Sequence, residues 1–342
     1  MAFTVNIRGH DRPIAVEEGQ TVLEAALSQG VPYPHGCQSG NCGACKSRLY
    51  DGEIELSPYS EYALTAEEKS QGLILACRAV PWSDAEVGWL AADEIVAHPL
   101  RLLECRVVEV ESVTHDVKCV RFEILAGGPF VFSAGQYARV VFEGQPARDY
   151  SMANRLDQSA LEFHIRHVEG GASSSYVATH LKVGERVRVE GPYGTAHFRE
   201  SHSGPILAIA GGSGLAPIKS IVETALQRSA APPIHLYFGV RDVRDLYLEA
   251  HFRTLEARHA NFRFTPVLSQ PSGPTARRTG FVHEAVGVDF PEFDGFKAYI
   301  AGPPVMVEAA SALLSARGMR REDIHADAFY TEAEKAMLQV PV

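Results

Sequence analysis

Four cysteines near the N-terminus have the residue type and the spacing that a metal centre requires. Cys37, Cys42 and Cys45 are separated by four and two residues, and Cys77 follows after 31 more. Plant-type [2Fe–2S] clusters use this spacing, with most thiolates on one loop and one from a distant segment. The rival, a structural zinc site, prefers paired Cys-x2-Cys knuckles, and only one such pair is present. The cysteines therefore predict an iron–sulfur cluster.

The other two cysteines, Cys105 and Cys119, lie within strand-like patterns and have no partner nearby in sequence. Cysteine often behaves as a small buried apolar residue. We therefore expect both to be core thiols rather than reactive groups.

A second constellation is suited to a flavin. Arg148, Tyr150 and Ser151 end a strand, and a glycine- and serine-rich turn containing Gly171 and Ser174 precedes a short helix. Arginine can clamp a diphosphate, a tyrosine ring can cover an isoalloxazine, and a serine hydroxyl can reach a ring nitrogen. The helix N-terminus offers further amides to phosphate. The tetrapeptide from Arg148 to Ser151 is by itself weak evidence for a flavin site, and an ordinary capped turn is the alternative interpretation of the glycine- and serine-rich segment. The combination of the two motifs favours a flavin site.

A third constellation is suited to a dinucleotide. Gly212, Ser213 and Gly214 follow an apolar strand and open a helix, as does the later turn at Gly302 and Pro303. The glycines do not match the G-x-G-x-x-G fingerprint, but a glycine turn still presents a helix N-terminus to a pyrophosphate.

The neighbouring strand ends in a mixture of charges that bears on the choice of dinucleotide. Arg241 and Arg244 suit a 2′-phosphate, whereas Asp242 and Asp245 suit a 2′-hydroxyl. The residues leave NADH and NADPH open, and the arginines lean to NADPH.

The elements around these residues fall into three segments. Residues 1–92 mix strands with a short helix that Thr21 caps, which indicates a small α+β domain. Residues 100–200 contain four alternating strands separated by turns, as in an antiparallel barrel or sandwich. Residues 203–342 alternate apolar strands with helices, which predicts a doubly wound parallel sheet. Its second helix is expected near 245–258.

Charge and composition exclude several classes of protein. The 342 residues carry a net charge of −10, which argues against nucleic-acid or anionic-membrane binding through a basic surface. Residues 1–92 hold 6 basic and 12 acidic residues, so they contribute −6 of that charge. A solvated face and a docking surface for a redox partner are equally compatible with this excess. The N-terminus lacks a secretory signal pattern, and the longest apolar run is too short for a membrane span, so we expect a cytoplasmic protein.

Taken together, these ordered motifs and the tail from Ile324 to Tyr330 resemble the reductase components of multicomponent oxygenases. Examples are the benzoate, toluate and terephthalate dioxygenase reductases. The resemblance implies three domains in a row: a β-grasp plant-type ferredoxin, an antiparallel FAD barrel, and an NAD(P)-binding α/β domain.

The resemblance also implies roles for individual residues. Arg148 would contact the FAD pyrophosphate, Tyr150 and Ser151 would meet the isoalloxazine, and Gly171 and Ser174 would lie at the phosphates. The dinucleotide would be bound by a second set of residues, namely Gly212, Ser213, Gly214, Arg241, Gly302 and Pro303. Phe329 would lie near the flavin ring, in a catalytic set with Tyr150 and Ser151.

The chain departs from the family pattern at two positions. Ala301 replaces a frequent cysteine, and Asp327 stands where many members carry glutamate. Any role of that thiol near the nicotinamide is therefore absent here.

The function that the resemblance implies is electron transfer from NAD(P)H through FAD and the [2Fe–2S] cluster to an aromatic ring-hydroxylating dioxygenase, with docking at the acidic ferredoxin domain. The alternatives are a reductase for a soluble diiron monooxygenase or for sugar deoxygenation, and, more remotely, a zinc-stabilised binding protein without turnover.

Overall fold

The computed structural model describes residues 2–35, 38, 40, 43–61, 63–90, 98–331 and 334. The chain divides into two compact units, one within residues 1–97 and 330–342 and the other covering residues 98–329. Each unit has its own apolar core: one cluster fills the first unit, and two fill the barrel and the parallel sheet of the second.

The first unit is a mixed sheet packed on a short helix. Its elements are β1 (Ala2–Ile7), β2 (Ile14–Glu17), α1 (Val22–Ser28), β3 (Lys46–Asp51), β4 (Ile54–Leu56), α2 (Ala66–Ser70), β5 (Leu73–Leu75), β6 (Ala79–Pro81) and β7 (Ala85–Trp89). The main sheet has the order β2-β1-β7-β3-β5, with β1 and β7 parallel. Thr21 and Glu24 form a reciprocal capping box that fixes the start of α1. The predicted α+β, β-grasp class is confirmed.

The second unit begins with an antiparallel barrel. Its elements are β8 (Arg101–Ser112), β9 (Val117–Ala126), β10 (Tyr137–Phe142), β11 (Arg148–Ser151), β12 (Leu161–Arg166), α3 (Ala172–Thr179) and β13 (Arg186–Tyr193). The strand order is β11-β10-β13-β8-β9-β12, and every pair is antiparallel. A bridge between Met152 and Phe163 joins the two edge strands. The predicted antiparallel barrel is thereby confirmed.

The second unit continues as a parallel sheet with helices. Its elements are β14 (Ile206–Gly211), α4 (Leu215–Leu226), β15 (Ile234–Val240), α5 (Glu249–Arg258), β16 (Phe262–Leu268), β17 (Arg278–Thr279), α6 (Val282–Asp289), β18 (Lys297–Gly302), α7 (Pro304–Ala316) and β19 (Ile324–Ala328). All six strands are parallel, in the order β17-β16-β15-β14-β18-β19. Because the sheet is entered at β14 and extends in both directions, the carboxyl ends of β14 and β18 face one crevice.

One helix begins later than the sequence predicts. Residues 243–245 form a short 3₁₀ turn, and α5 starts only at Glu249. Asp242 and Asp245 cap each other's backbone amides and close the turn, and Leu248 then adopts a left-handed φ of 56°. Because this local polar capping closes the turn, the helix expected near 245–258 begins four residues later.

Among the described residues, no helix combines the length and the apolar character needed to cross a membrane.

Candidate functional site

The sulfurs of Cys45 and Cys77 converge in the core of the first unit. Their Sγ atoms are 3.2 Å apart, and both side chains are buried. This separation exceeds a disulfide bond of about 2.05 Å. Two buried thiols directed at one point match half of the donor set for a [2Fe–2S] cluster. Cys37 and Cys42, the other two predicted ligands, lie outside the described residues.

The loop that carries the cysteines is pressed against the rest of its unit. At Gly40, a Cβ would come within 2.9 Å of both Tyr59 Cβ and Arg78 Cγ, and its φ of +78° disfavours any other residue. At Gly43, with φ of +72°, a Cβ would lie 3.1 Å from the carbonyl oxygen of Ala63. The positive φ of both residues, together with side chains close to Gly40 and the Ala63 carbonyl close to Gly43, therefore favours glycine at these two positions.

Strand β11 places the predicted flavin residues at one edge of the barrel. Ser151 is buried, and Arg148 and Tyr150 are half-buried. Burial raises the pKa of Tyr150 to about 12, so the ring stays neutral. Within the described part of the chain, the Arg148 guanidinium bonds only to the carbonyl of Ala147 and pairs with no carboxylate. An arginine that lacks a carboxylate partner, beside a partly open aromatic face, fits a diphosphate-bearing flavin.

The turn before α3 is held by local hydrogen bonds of its serine. The Ser174 hydroxyl accepts from the amide of Val168 and points back toward the carbonyls of Val168 and Gly171. Gly171 is the N-cap and provides no side-chain bond, so the first amides of this helix have no capping side chain. The first backbone amides of this helix could therefore meet a phosphate, and the placement of Ser174 at the phosphates stays a prediction.

The barrel edge meets the end of the parallel sheet through two predicted residues. Ser151 Oγ lies 3.4 Å from Asp327 Oδ2, at the end of β19. Phe329 packs against the core of the nucleotide-binding sheet, and its amide donates to the carbonyl of Gly302 at 2.8 Å. The structure therefore brings Ser151, Asp327, Phe329 and Gly302 to one crevice.

The two strand-to-helix turns of the sheet touch backbone to backbone. A Cβ on Gly214 would lie 2.1 Å from the carbonyl oxygen of Ala301, and one on Gly302 would lie 2.8 Å from that of Gly211. Gly212 and Ser213 are half-buried between them, and Pro303 caps α7. The glycines therefore allow two helix N-termini to converge, which is the geometry of a pyrophosphate site.

Arg241 lies at the rim of this crevice among carboxylates. It is 53% exposed, and its guanidinium is 3.9 Å from Asp116 and 3.6 Å from Asp245. Asp116 also pairs with Arg166 at 2.8 Å. Asp116 and Arg166 were not predicted from the sequence, because they belong to the barrel and are far from Arg241 along the chain. Only the fold brings these three residues together.

The two solitary cysteines are buried, as predicted, and burial raises the pKa of each thiol to about 12. Cys119, however, has titratable neighbours: Glu162 and His164 lie close to its sulfur. Neither residue was singled out from the sequence, because an alternating strand pattern does not reveal that both of its faces are covered.

Three family models match consecutive parts of the chain. A 2Fe-2S iron-sulfur cluster binding domain matches residues 5–81, an oxidoreductase FAD-binding domain matches 104–198, and an oxidoreductase NAD-binding domain matches 208–312.

Curated proteins resemble the chain over nearly its full length. The Ralstonia reductase component of naphthalene 1,2-dioxygenase/salicylate 5-hydroxylase systems is 41% identical, over 92% of this chain and 94% of that protein. The reductase subunit of an Amycolatopsis aromatic O-demethylase is 40% identical, over 96% and 99% respectively.

Solved structures agree with this picture. The Amycolatopsis reductase GcoB has a TM-score of 0.77 and 40% identity, covering 96% of this chain and 98% of its own. A ferredoxin reductase in carbazole 1,9a-dioxygenase has a TM-score of 0.69 and 29% identity, covering 96% and 99%.

Proposed function

The chain belongs to the family of iron–sulfur flavoprotein reductase components of oxygenase systems, and on that premise we propose that it serves an aromatic ring-hydroxylating dioxygenase. It is an NAD(P)H-dependent oxidoreductase with FAD and a [2Fe–2S] cluster, and it transfers electrons to an oxygenase. Family membership is incompatible with a zinc-stabilised binding protein. The observation that carries the proposal is the convergence of Cys45 and Cys77 in a chain whose barrel edge meets its nucleotide crevice at Ser151 and Asp327.

Different residues are proposed to bind and orient each cofactor. FAD bound at this site would supply a hydride acceptor for NAD(P)H and a means of one-electron transfer to the cluster. We assign the isoalloxazine to Tyr150, Ser151 and Phe329, and its diphosphate to Arg148 and the backbone turn at 171–174. The nicotinamide dinucleotide is assigned to a separate set: Gly212, Ser213, Gly214, Arg241, Gly302 and Pro303. Cys37, Cys42, Cys45 and Cys77 are the proposed cluster ligands.

We further propose NADH as the electron donor. The support is the charge around Arg241, whose guanidinium already has the carboxylates of Asp116 and Asp245 within 4 Å. A 2′-phosphate bound by Arg241 would be repelled by both carboxylates, whereas a 2′-hydroxyl can donate to one of them. This argument opposes the lean to NADPH that the two arginines suggest in sequence.

One experiment tests the cofactor assignment and the donor together. The purified holoprotein is mixed anaerobically with NADH or NADPH while flavin and cluster absorbances are followed, and steady-state reduction of cytochrome c and ferricyanide is measured. We expect NADH to be preferred, and we expect Cys45→Ser to lose cytochrome c reduction while keeping NADH–ferricyanide activity through the flavin. Cys105→Ala, at a buried thiol of the barrel, is the control and keeps both activities. Full cytochrome c reduction by Cys45→Ser would refute the electron path.

We propose the class of the partner oxygenase from the names of the relatives. Two of them are named for naphthalene dioxygenase systems, whereas others are named for phenol and propane monooxygenases. The naphthalene dioxygenase reductases, at 41% and 38% identity, are more similar to this chain than the phenol and propane monooxygenase reductases, at 36% and 31%, which supports a ring-hydroxylating dioxygenase docked at the acidic first unit in the cytoplasm. The aromatic O-demethylase reductase, at 40%, makes that enzyme class the second candidate partner. NADH consumption coupled to product in a mixture with each purified oxygenase class decides between them.

A further inference from the structure

A group of charged side chains is buried between the barrel and the nucleotide-binding sheet of the second unit. Glu162 and His164 project from β12, and Lys219 projects from α4; each is less than 7% exposed. Lys219 donates to the carbonyl of Ala153 at 3.1 Å and lies 3.3 Å from Glu162 Oε1. Because its ammonium supplies the positive charge beside the carboxylate, this group is a hydrogen-bond network rather than a cation site.

Glu162 is held as a carboxylate, and this determines that the neighbouring His164 is protonated on Nε2. Arg121 Nε donates to Glu162 Oε2 at 3.0 Å, and His164 Nε2 lies 3.0 Å from Glu162 Oε1. Burial raises the pKa of Glu162, but the bonds from His164, Lys219 and Arg121 outweigh it and hold the pKa well below its usual range. A carboxylate only accepts hydrogen bonds. His164 Nε2 must therefore carry a hydrogen.

The other ring nitrogen of His164 leads to the dinucleotide turn. His164 Nδ1 lies 3.1 Å from the hydroxyl of Tyr247, which is also 3.3 Å from the carbonyl oxygen of Gly212. Tyr247 is buried, and its hydroxyl has a single proton for these two acceptors. With His164 neutral, Nδ1 is an acceptor and takes that proton. With His164 charged, Nδ1–H donates to the Tyr247 oxygen and the proton goes to Gly212.

We propose that Tyr247 is a positioning residue for the dinucleotide turn, and that protonation of His164 transfers its hydrogen bond to the Gly212 carbonyl. The inference rests on the proposed dinucleotide site at 211–214. Anchoring Gly212 orders the backbone amides that follow it, and ordering a binding loop in advance strengthens binding. The dinucleotide should therefore bind more tightly when His164 is charged.

The groups that face His164 set the direction of the pH response. Every element packed against His164 or against the dinucleotide turn at 211–214 contributes titratable or charged side chains. They are His115, Asp116, Cys119, Arg121, Glu162, Arg166, Lys219, Glu223, Arg241, Asp245 and His251. Burial lowers the pKa of His164, and the bond to Glu162 opposes that effect only in part. His164 is therefore neutral at neutral pH, and acidification adds the proton that anchors the turn.

The test compares NADH binding at two pH values in the FAD-loaded, full-length protein. Anaerobic rapid mixing at pH 5.5 and 8.0 gives the NADH Kd and the limiting rate of flavin reduction. For the wild type we expect Kd at pH 5.5 to be lower than at pH 8.0 by up to about fivefold, the full effect of one net hydrogen bond. Tyr247→Phe should show the wild-type pH 8.0 Kd at both pH values, with its limiting rate unchanged.

Two further variants keep the test decisive. His164→Gln retains a donor for Glu162 and an acceptor for Tyr247, so it should also hold the pH 8.0 Kd throughout. Tyr237→Phe removes another buried hydroxyl, one that bonds to Asp289 on α6, and should keep the wild-type response. A pH response that persists in Tyr247→Phe and His164→Gln would overturn the proposal, as would its absence in the wild type. Failure of the wild-type flavin to be reduced by either NADH or NADPH would instead overturn the proposed function.

Discussion

Asp327 and Ser151 show how two residues far apart in sequence come to act on one site. The serine ends a barrel strand and the aspartate ends the edge strand of the parallel sheet, and their oxygens are 3.4 Å apart. The Ser151 hydroxyl is the donor and the Asp327 carboxylate the acceptor, so the carboxylate orients the hydroxyl proposed to face the isoalloxazine. At 3.4 Å this bond is longer than an ideal O–H···O hydrogen bond, so we expect its effect on the orientation of the hydroxyl to be moderate.

Replacing Asp327 by asparagine should therefore slow flavin reduction without emptying the flavin site. The variant keeps an acceptor but loses the charge, and we expect the NADH-dependent reduction rate to fall about three- to tenfold. Asp323→Asn is the control, at the residue that directly precedes β19: Asp323 pairs with Lys297 at 2.9 Å, so its variant should lose thermal stability and keep the rate. Stopped-flow absorbance and thermal unfolding measure the two effects. Equal rates in wild type and Asp327→Asn would contradict the assigned role.

At the level of elements, the two strand-to-helix turns after β14 and β18 contact each other through their backbones. The approach of the β14–α4 turn to β18 depends on the absence of a side chain at Gly214, where a Cβ would lie 2.1 Å from a carbonyl oxygen. The clash would be with backbone, which has little freedom to move within a sheet. The turns must separate to relieve it.

Gly214→Ala should therefore impair dinucleotide binding more than flavin binding. We expect NADH-dependent flavin reduction to fall at least about tenfold, because misplacing a binding element by about 1 Å costs a large factor in rate. Bound FAD and reduction by dithionite should be retained. Gly273→Ala is the matched control, since a Cβ there has open space around it. Unchanged kinetics in Gly214→Ala would show that the two turns do not jointly hold the dinucleotide.

The elements also show what sequence can and cannot reveal. The cap at Thr21, the strand alternation of the barrel and the glycine turn at 211–214 are local signals, and the structure contains each of them. The network around Glu162 and His164 is different, because β12 is buried on both faces once α4 packs over it. Neither that burial nor the pairing of Glu162 with Lys219, 57 residues apart, follows from any local pattern.

At the level of the whole molecule, negative charge is concentrated in residues 1–92, and this favours docking of a positively charged partner there. Residues 1–92 carry −6 of the net charge of −10. Within this unit, Glu53 and Glu55 are exposed beside Trp82, which is 57% exposed and donates its indole N–H to Glu55 at 2.9 Å. Long-range attraction between opposite charges accelerates encounter and weakens with added salt. An oxygenase with a basic docking face would be drawn to this acidic surface.

Neutralising the acidic surface should therefore slow electron delivery to the oxygenase while leaving the reductase itself intact. For Glu53→Gln/Glu55→Gln we expect the second-order rate of oxygenase reduction at low ionic strength to fall about three- to tenfold, and the difference to shrink as salt screens the charges. NADH–ferricyanide activity should be unchanged, because the flavin and dinucleotide residues are untouched. Glu104→Gln/Glu123→Gln removes the same charge from exposed positions on the barrel and should have little effect. A loss of equal size in this control would show that net charge alone matters; no loss in either variant would place docking elsewhere.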